Sequence, residues 1–304
     1  MEMSMESISR RSFLAGSALA LGGWVLLPAT GRAEGETDPN RFILMADTHV
    51  CGDRNAREHD CNPDETIQQA VKDVLELTPR PAGVVVAGDC VYLHGLKPDY
   101  IALEEFLRPL RKAGIPLLLA MGNHDNRNAF QSVFPDAAIL QGSAIKERKA
   151  AVVETPHANW YLLDSCKVTH YTPGLFGEEQ LAWLAAELDK APSKPALLVA
   201  HHYPKKTEDD NGLEDTEAFL KIIGPRKQVK CYFFGHSHAW SLKQGEDGLH
   251  LVNLPANAWL FNEELPRGFV DAQLEDNGCI LTLHCLNRGD KRHGEKHRLD
   301  WRAV

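Results

Sequence analysis

Five short apolar runs punctuate the chain, and each ends on Asp, Asn or His. Phe42 to Ala46 leads into Asp47, Thr48 and His49, and Val84 to Ala87 leads into Gly88 and Asp89. Pro116 to Met121 runs into Gly122, Asn123, His124 and Asp125. Ala196 to Ala200 meets His201 and His202, and Cys231 to Phe234 meets Gly235, His236, Ser237 and His238. Short continuous runs rich in Val, Leu, Ile and Phe read as strands buried on both faces. Packing gives no reason for such strands to end on ionisable groups, so these ends are the candidate functional positions.

Between the strands the period lengthens to that of helices. Asn62, Pro63 and Glu65 supply an N-cap, a proline at the first helical position and an acid in the first turn. The apolar face that follows is Ile67, Val71, Val74 and Leu75, and the helix ends before Pro79. A second helix is expected from about Pro98 to Ala113, with Ile101, Leu103, Phe106, Leu107 and Leu110 inward, closed by Gly114 and Pro116. Trp160 to Leu163 reads as a strand. Gly177 to Lys190 is amphipathic through Leu181, Trp183, Leu184 and Leu188. Strand-like runs follow at 249–254, 269–274 and 280–286, and the polar residues from Arg288 onward read as a mobile C-terminal tail. Strands alternating with helices and then mainly strands predict an α/β fold with mixed sheets. No internal repeat and no Pro/Gly/Ser-rich linker divides the motifs, so residues 34–304 are expected to form one domain.

The first 33 residues stand apart. Arg10 and Arg11 in a Ser-Arg-Arg-Ser-Phe-Leu run precede a short apolar stretch from Ala15 to Leu27, and Gly31 and Ala33 offer a cleavage site. This is a twin-arginine signal pattern. It predicts a partner, the twin-arginine export machinery, and a periplasmic or otherwise extracytoplasmic location; an uncleaved signal retained as a membrane anchor is the alternative. Such export carries folded proteins and suits a metalloprotein loaded before transport. All seven cysteines follow Ala33; Cys51 and Cys61 could bridge, or the set could be buried thiols.

Net charge is −9, and residues 1–33 carry three Arg and two Glu, so the processed chain would stand at −10. No nucleic-acid or anionic-membrane surface is indicated, and oligomeric state is not readable. Carboxylate, carboxamide and imidazole together suit a pair of borderline ions, divalent or trivalent: Mn, Fe or Zn. Bound ions dominate local fields, so phosphate can be attracted even by an acidic chain. Two ions about 3.5–4 Å apart are a general device for hydrolysing phosphate esters.

The ordered set D-x-H, G-D, G-N-H-D, H and G-H-x-H, spanning Asp47 to His238, resembles the calcineurin-like metallophosphoesterase superfamily. The run from Gly88 to Arg127, with its Tyr100, Leu103, Leu107, Pro109 and Leu110 helix pattern, is similar to the branch containing cyclic-nucleotide and glycerophosphodiester phosphodiesterases. The resemblance implies a sandwich of two mixed β-sheets flanked by helices. It implies one metal on Asp47, His49, Asp89 and His238, and a second on Asp89, Asn123, His201 and His236, with Asp89 bridging. It favours His201 over His202, because the ligand is the first of such a pair before a proline, here Pro204. His124 is implied as general acid or charge stabiliser, its ring held by Asp125. Gly88, Gly122 and Gly235 would permit tight backbone beside the ions. The implied reaction is in-line attack on a small phosphodiester by metal-bound hydroxide.

Gly88, Asp89 and Tyr92 also fit a purple-acid-phosphatase pattern, a phosphomonoesterase alternative in which the tyrosine binds iron; His49, absent from that pattern, argues against it. The protein serine/threonine phosphatase branch expects Asp-Arg-Gly after its Gly-Asp block, and residues 91–95 lack it. Arg127, His94 and His202 are candidates to grip phosphate or the leaving group, and Trp259, Leu260 and Phe261 could wall a pocket or belong to the core. A non-catalytic phosphate-ligand binding protein on the same fold is a third reading, disfavoured because no ligand position is missing.

Overall fold

A computed structural model describes residues 36–141, 145–146 and 148–304, and the backbone of 19–21 and 24–26. The twin-arginine motif and the expected cleavage site lie outside the described residues. In chain order the elements are β1 (Leu19–Leu21), β2 (Trp24–Leu26), β3 (Thr37–Met45), α1 (Pro63–Leu75), β4 (Arg80–Val86), α2 (Lys97–Lys112), β5 (Leu117–Leu119), α3 (Arg127–Val133), α4 (Ala138–Gln141), β6 (Ala151–Glu154) and β7 (Asn159–Leu162). They continue with α5 (Glu178–Lys190), β8 (Ala196–Val199), α6 (Thr216–Ile223), β9 (Val229–Phe234), β10 (Ser241–Gln244), β11 (His250–Asn253), β12 (Gly268–Glu275), β13 (Gly278–Cys285) and β14 (Lys296–Asp300).

The strands form two mixed sheets, a six-stranded one in the order β14-β13-β12-β3-β4-β5 and an eight-stranded one in the order β1-β2-β6-β7-β8-β9-β11-β10. Side chains on successive strand positions point to opposite faces, which sorts the apolar runs into two cores. Trp160, Leu162, Leu197, Val199, Cys231 and Phe233 meet Phe42, Leu44 and the β4 valines between the sheets. Phe42 and Trp160 pack across that interface with ring centroids 5.0 Å apart. The intervening positions Tyr161, Leu198, Tyr232 and Phe234 form a second core with α5 and α6 residues such as Leu184, Leu188, Phe219 and Ile223. This double burial explains why the runs are continuous rather than alternating.

β3, β4 and β5 are parallel, as are β7, β8, β9 and β11. Their C-terminal ends are stitched together by backbone hydrogen bonds from Asp47 to Gly88, from His49 to Asp89 and from Gly235 to the carbonyl of His201. All five motif-bearing ends therefore meet at one edge of the sandwich, the usual place for ligands in open α/β sheets.

Several local expectations need correction. Asn62 caps α1 through Asp64 and Glu65 as anticipated, but Leu75 is 38% exposed and Ile101 of α2 is 46% exposed. The buried faces use Ala70 in α1 and Tyr100 and Ala102 in α2 instead. Residues from Arg288 do not form a free tail. Lys296–Asp300 pairs antiparallel with β13 as an edge strand, and only Leu299 in it is buried, so its sequence carries almost no apolar signal. Arg302 is also buried, hydrogen-bonded to the carbonyls of Val229, Ile223 and Arg226. The seven cysteines are free and buried, so Cys51 and Cys61 are not joined. Among the described residues no helix is long and apolar enough to cross a membrane.

Candidate metal centre

The backbone at the strand ends is unusual. Asp47, His49, Asp89, His236 and His238, five of the seven expected ligands, adopt left-handed φ values of 54°, 43°, 46°, 71° and 51°. A non-glycine residue tolerates this region at an energetic penalty, and such outliers gather at functional sites. The turn throws each side chain sharply off its strand axis into a common space. Neighbouring glycines make room: a Cβ on Gly122 would lie 2.2 Å from Asp89 Oδ1, and one on Gly235 would lie 2.5 Å from Asp47 Oδ2.

Asp47, His49, Asp89, Asn123, His201, His236 and His238 all converge. Asp89 Oδ2 lies 3.2 Å from His201 Nε2, 3.8 Å from His49 Nε2 and 3.7 Å from His124 Nε2. Around His201 Nε2 stand Asn123 Oδ1 at 3.1 Å and His236 Nδ1 at 3.1 Å. On the other side, His238 Nε2 is 3.1 Å from His49 Nε2 and 3.5 Å from Asp47 Oδ1. Asp89 sits between the two clusters.

The hydrogen bonds behind the rings settle their tautomers. His201 Nδ1 donates to the Ala87 carbonyl, His236 Nε2 to the Asn211 carbonyl and His238 Nδ1 to the Trp259 carbonyl, at 3.0, 3.1 and 2.7 Å. A carbonyl can only accept, so in the neutral ring each opposite nitrogen presents a lone pair inward. Lone pairs from three rings, two carboxylates and an amide oxygen thus crowd a buried space, an arrangement that a cation relieves. The titration behaviour agrees. Burial alone pushes His201 down, but the Asp89 and Asp47 carboxylates raise it to about 9, so the surroundings favour positive charge at this position. Burial and the neighbouring His201 hold His236 down at about 3. The residues offer the donor types that a metal cation takes, gathered in two adjoining groups: Asp47, His49, Asp89 and His238, and Asp89, Asn123, His201 and His236.

His124 lines the cavity above this cluster, with its side chain 20% exposed. Its Nδ1 donates to the Leu93 carbonyl at 2.8 Å, which turns Nε2 toward the cavity. The expectation that Asp125 holds the His124 ring is therefore wrong. Asp125 instead accepts from the backbone of Gly122 at 2.8 Å and Cys90 at 3.2 Å and from the Tyr100 hydroxyl at 2.9 Å. Burial, and then the charge of Asp89, raise its carboxyl to about 6. Asp125 is a positioning residue that ties the Gly-Asp loop to the Gly-Asn-His-Asp loop.

Two of the three candidate substrate grips are engaged elsewhere, and the third lies outside the cavity. Arg127 makes a two-pronged pair with Asp164, at 2.7 and 2.9 Å, and reaches the Cys166 carbonyl. Its guanidinium joins the start of α3 to the end of β7 and is already satisfied. His202 is fully buried, receives the Ser165 hydroxyl on Nδ1 at 2.7 Å and donates Nε2–H to the Thr172 carbonyl at 2.8 Å. Neither lines the cavity. His94 is exposed outside the cavity, its ring 4.3 Å from that of His170, which in turn lies 6.0 Å from His124. The Tyr92 hydroxyl donates to Glu58 at 2.9 Å, and burial and that carboxylate push the phenol up to about 12, so it is not placed to bind iron.

The cavity measures ≈ 290 Å³. Its floor is the ligand cluster. Trp259 and Phe261 border it beside His49 and His238, while Tyr203, Asn211 and Thr172 border it beside His236. Of these wall residues the sequence singled out only Trp259 and Phe261. Tyr203 and Asn211 follow no motif, and Asn211 acts through a backbone carbonyl, which leaves no trace in residue identity.

Comparison with known proteins bears on this geometry. A probable cyclic nucleotide phosphodiesterase of Rhodopseudomonas palustris is 31% identical over 207 residues, 65% of this chain and 71% of that protein. A 3',5'-cyclic-nucleotide phosphodiesterase of Nostoc is 26% identical over 258 residues, 80% of this chain and 91% of that protein. The crystal structure of a dimetal phosphatase from Danio rerio shares the fold, with a TM-score of 0.70 over 87% of this chain and 100% of that one at 19% identity. The calcineurin-like phosphoesterase profile matches residues 40–240, which contain every proposed ligand. With those ligands brought together as the motifs require, the chain belongs to the calcineurin-like phosphoesterase family and is a metal-dependent phosphoester hydrolase.

Proposed function

We propose that this protein is an exported phosphodiesterase with a dinuclear centre, cleaving one ester bond of a small phosphodiester. The observation that carries the reading is the position of Asp89, whose Oδ2 faces His201 at 3.2 Å and His49 at 3.8 Å from two separate donor clusters. Asp47, His49, Asp89, Asn123, His201, His236 and His238 would hold the ions, which would supply charge neutralisation at phosphate and a more acidic water. The protein's own residues do the rest. His124 directs Nε2 at the cavity and, when protonated, gives its proton to the departing oxygen. Its link to the Leu93 carbonyl holds the ring in that pose. Asp125 and Tyr100 fix the loop that carries Asn123 and His124.

Two features support a diester over a monoester. The cavity has two unlike borders, one aromatic and one polar, and a diester has two arms to place where a monoester has one. Tyr92 is engaged by Glu58 and His49 fills the ligand position, which disfavours the purple-phosphatase alternative. Cyclic nucleotides, named for the Rhodopseudomonas and Nostoc proteins, are the first candidate class. The test is kcat/KM for matched p-nitrophenyl mono- and diesters, with 3',5'-cyclic AMP alongside, on one Mn(II)-loaded sample. The diester should be preferred; a tenfold preference for the monoester, about 1.4 kcal/mol of transition-state stabilisation, overturns the reading.

The Arg10–Arg11 run supports twin-arginine export. Replacing both by Lys should strand an unprocessed protein in the cytoplasm; continued export of that variant on fractionation removes this part of the proposal.

A further inference from the structure

Phe261 is an anomaly for a large apolar side chain. It is 64% exposed, yet one face of its ring lies on the imidazole of His238 at 4.5 Å and 28°. His59 meets it edge-on at 5.6 Å, and His59 is in turn stacked over Trp259 at 6.5 Å. Trp259 lies on His49 at 4.1 Å and 27° and is only 5% exposed. The two rings therefore differ in purpose. Trp259 is covered and backs the metal ligand, whereas Phe261 keeps an open face at the cavity border.

Each element of the shelf is held. His59 comes from a tight turn closed by reciprocal Glu58 and Cys61 backbone bonds at 3.0 and 2.9 Å. Phe261 stands two residues after Trp259, whose carbonyl accepts from His238 Nδ1 at 2.7 Å. A flat group laid on the outer face of Phe261 would be one ring beyond a metal ligand.

Resting on the phosphodiesterase reading, we propose that Phe261 is the specificity-determining platform for the ester arm retained on phosphorus, and that this arm carries a planar aromatic ring. His124 serves the departing oxygen; its ring reaches His49 edge-on at 5.3 Å and hydrogen-bonds the Leu93 carbonyl, so it stands over the same donor group as His238 but does not cover Phe261, whose open face remains for the other arm. Offset aromatic stacking contributes about 0.5–1.5 kcal/mol beyond area burial, which corresponds to about a two- to tenfold preference.

The experiment uses two diesters with the same p-nitrophenolate leaving group, one retaining a phenyl arm and one a methyl arm, on Mn(II)-loaded protein. The phenyl diester should be the better substrate. Phe261→Ala should raise the KM of the phenyl diester about two- to tenfold more than that of the methyl diester, abolishing the preference; Phe261→Tyr should restore it. Calorimetric binding of the products, phenyl phosphate and methyl phosphate, reads the same platform without turnover. If neither diester is hydrolysed while phenyl phosphate still binds through Phe261, the diesterase reading falls and the platform stands. Equal losses of both products, or none, in Phe261→Ala overturn the platform.

Discussion

The hydroxyl of Tyr100 donates to Asp125 at 2.9 Å and accepts the backbone N–H of Asn126 at 2.9 Å, so one buried oxygen in α2 holds the loop that bears Asn123 and His124. Removing it leaves a carboxylate oxygen and an amide unpaired inside the protein. Tyr100→Phe is expected to destabilise the fold by about 1–3 kcal/mol, the penalty for buried groups left unsatisfied. Urea denaturation with an unchanged midpoint would show that the hydroxyl holds nothing.

Asp89 touches both donor clusters and Asn123 only one. Asp89→Asn should abolish activity and lower metal content more than Asn123→Ala does. Elemental analysis finding two full metal equivalents in purified Asp89→Asn sinks the bridging role.

His124 faces the cavity but contributes to neither proposed ion. His124→Ala should retain both metals and lose about 10²–10⁴-fold in turnover on esters with poor leaving groups, the usual range for proton transfer by a positioned side chain. The loss should shrink for p-nitrophenolate, which departs without a proton. Equal losses on both substrate types would mean that His124 supports the site and donates no proton.

Arg127 is a structural ion-pair partner, and Asp164 beneath it has a side chain that is 0% exposed. Arg127→Ala should cost about 3 kcal/mol, the low end for breaking a buried pair, because the backbone N–H groups of Lys149 and Cys166 still reach Asp164. KM should hardly move. A large KM increase with wild-type stability would restore the substrate-gripping role.

The ligands were legible because each is a side chain of telling type at the end of an apolar run. What holds them was not. Ala87, Leu93, Asn211 and Trp259 act through carbonyl oxygens, which every residue possesses. Asp125 was misassigned for a related reason. Adjacency in sequence suggested contact with His124, but its carboxylate is turned toward the backbone of Gly122 and Cys90. Arg127 looked available until the fold brought Asp164, 37 positions away, beneath it. The fold class followed from alternation of periods, whereas β14 escaped because an edge strand needs few apolar residues.

The left-handed ligand positions carry an implication for how this centre can be lost. At Asp47, His49, Asp89, His236 and His238 the backbone opposes a side chain by roughly 1–2 kcal/mol each. Glycine would relieve that strain, less about 0.5–1 kcal/mol for its greater freedom when unfolded. The backbone term therefore favours glycine at each of these positions, against the hydrogen bonds that Asp47 and Asp89 accept from the N–H groups of His236 and His124 and the one His238 gives to the Trp259 carbonyl. Bound ions add folding energy on the same side as those bonds, so loss of the ions and loss of the side chains weaken the centre together.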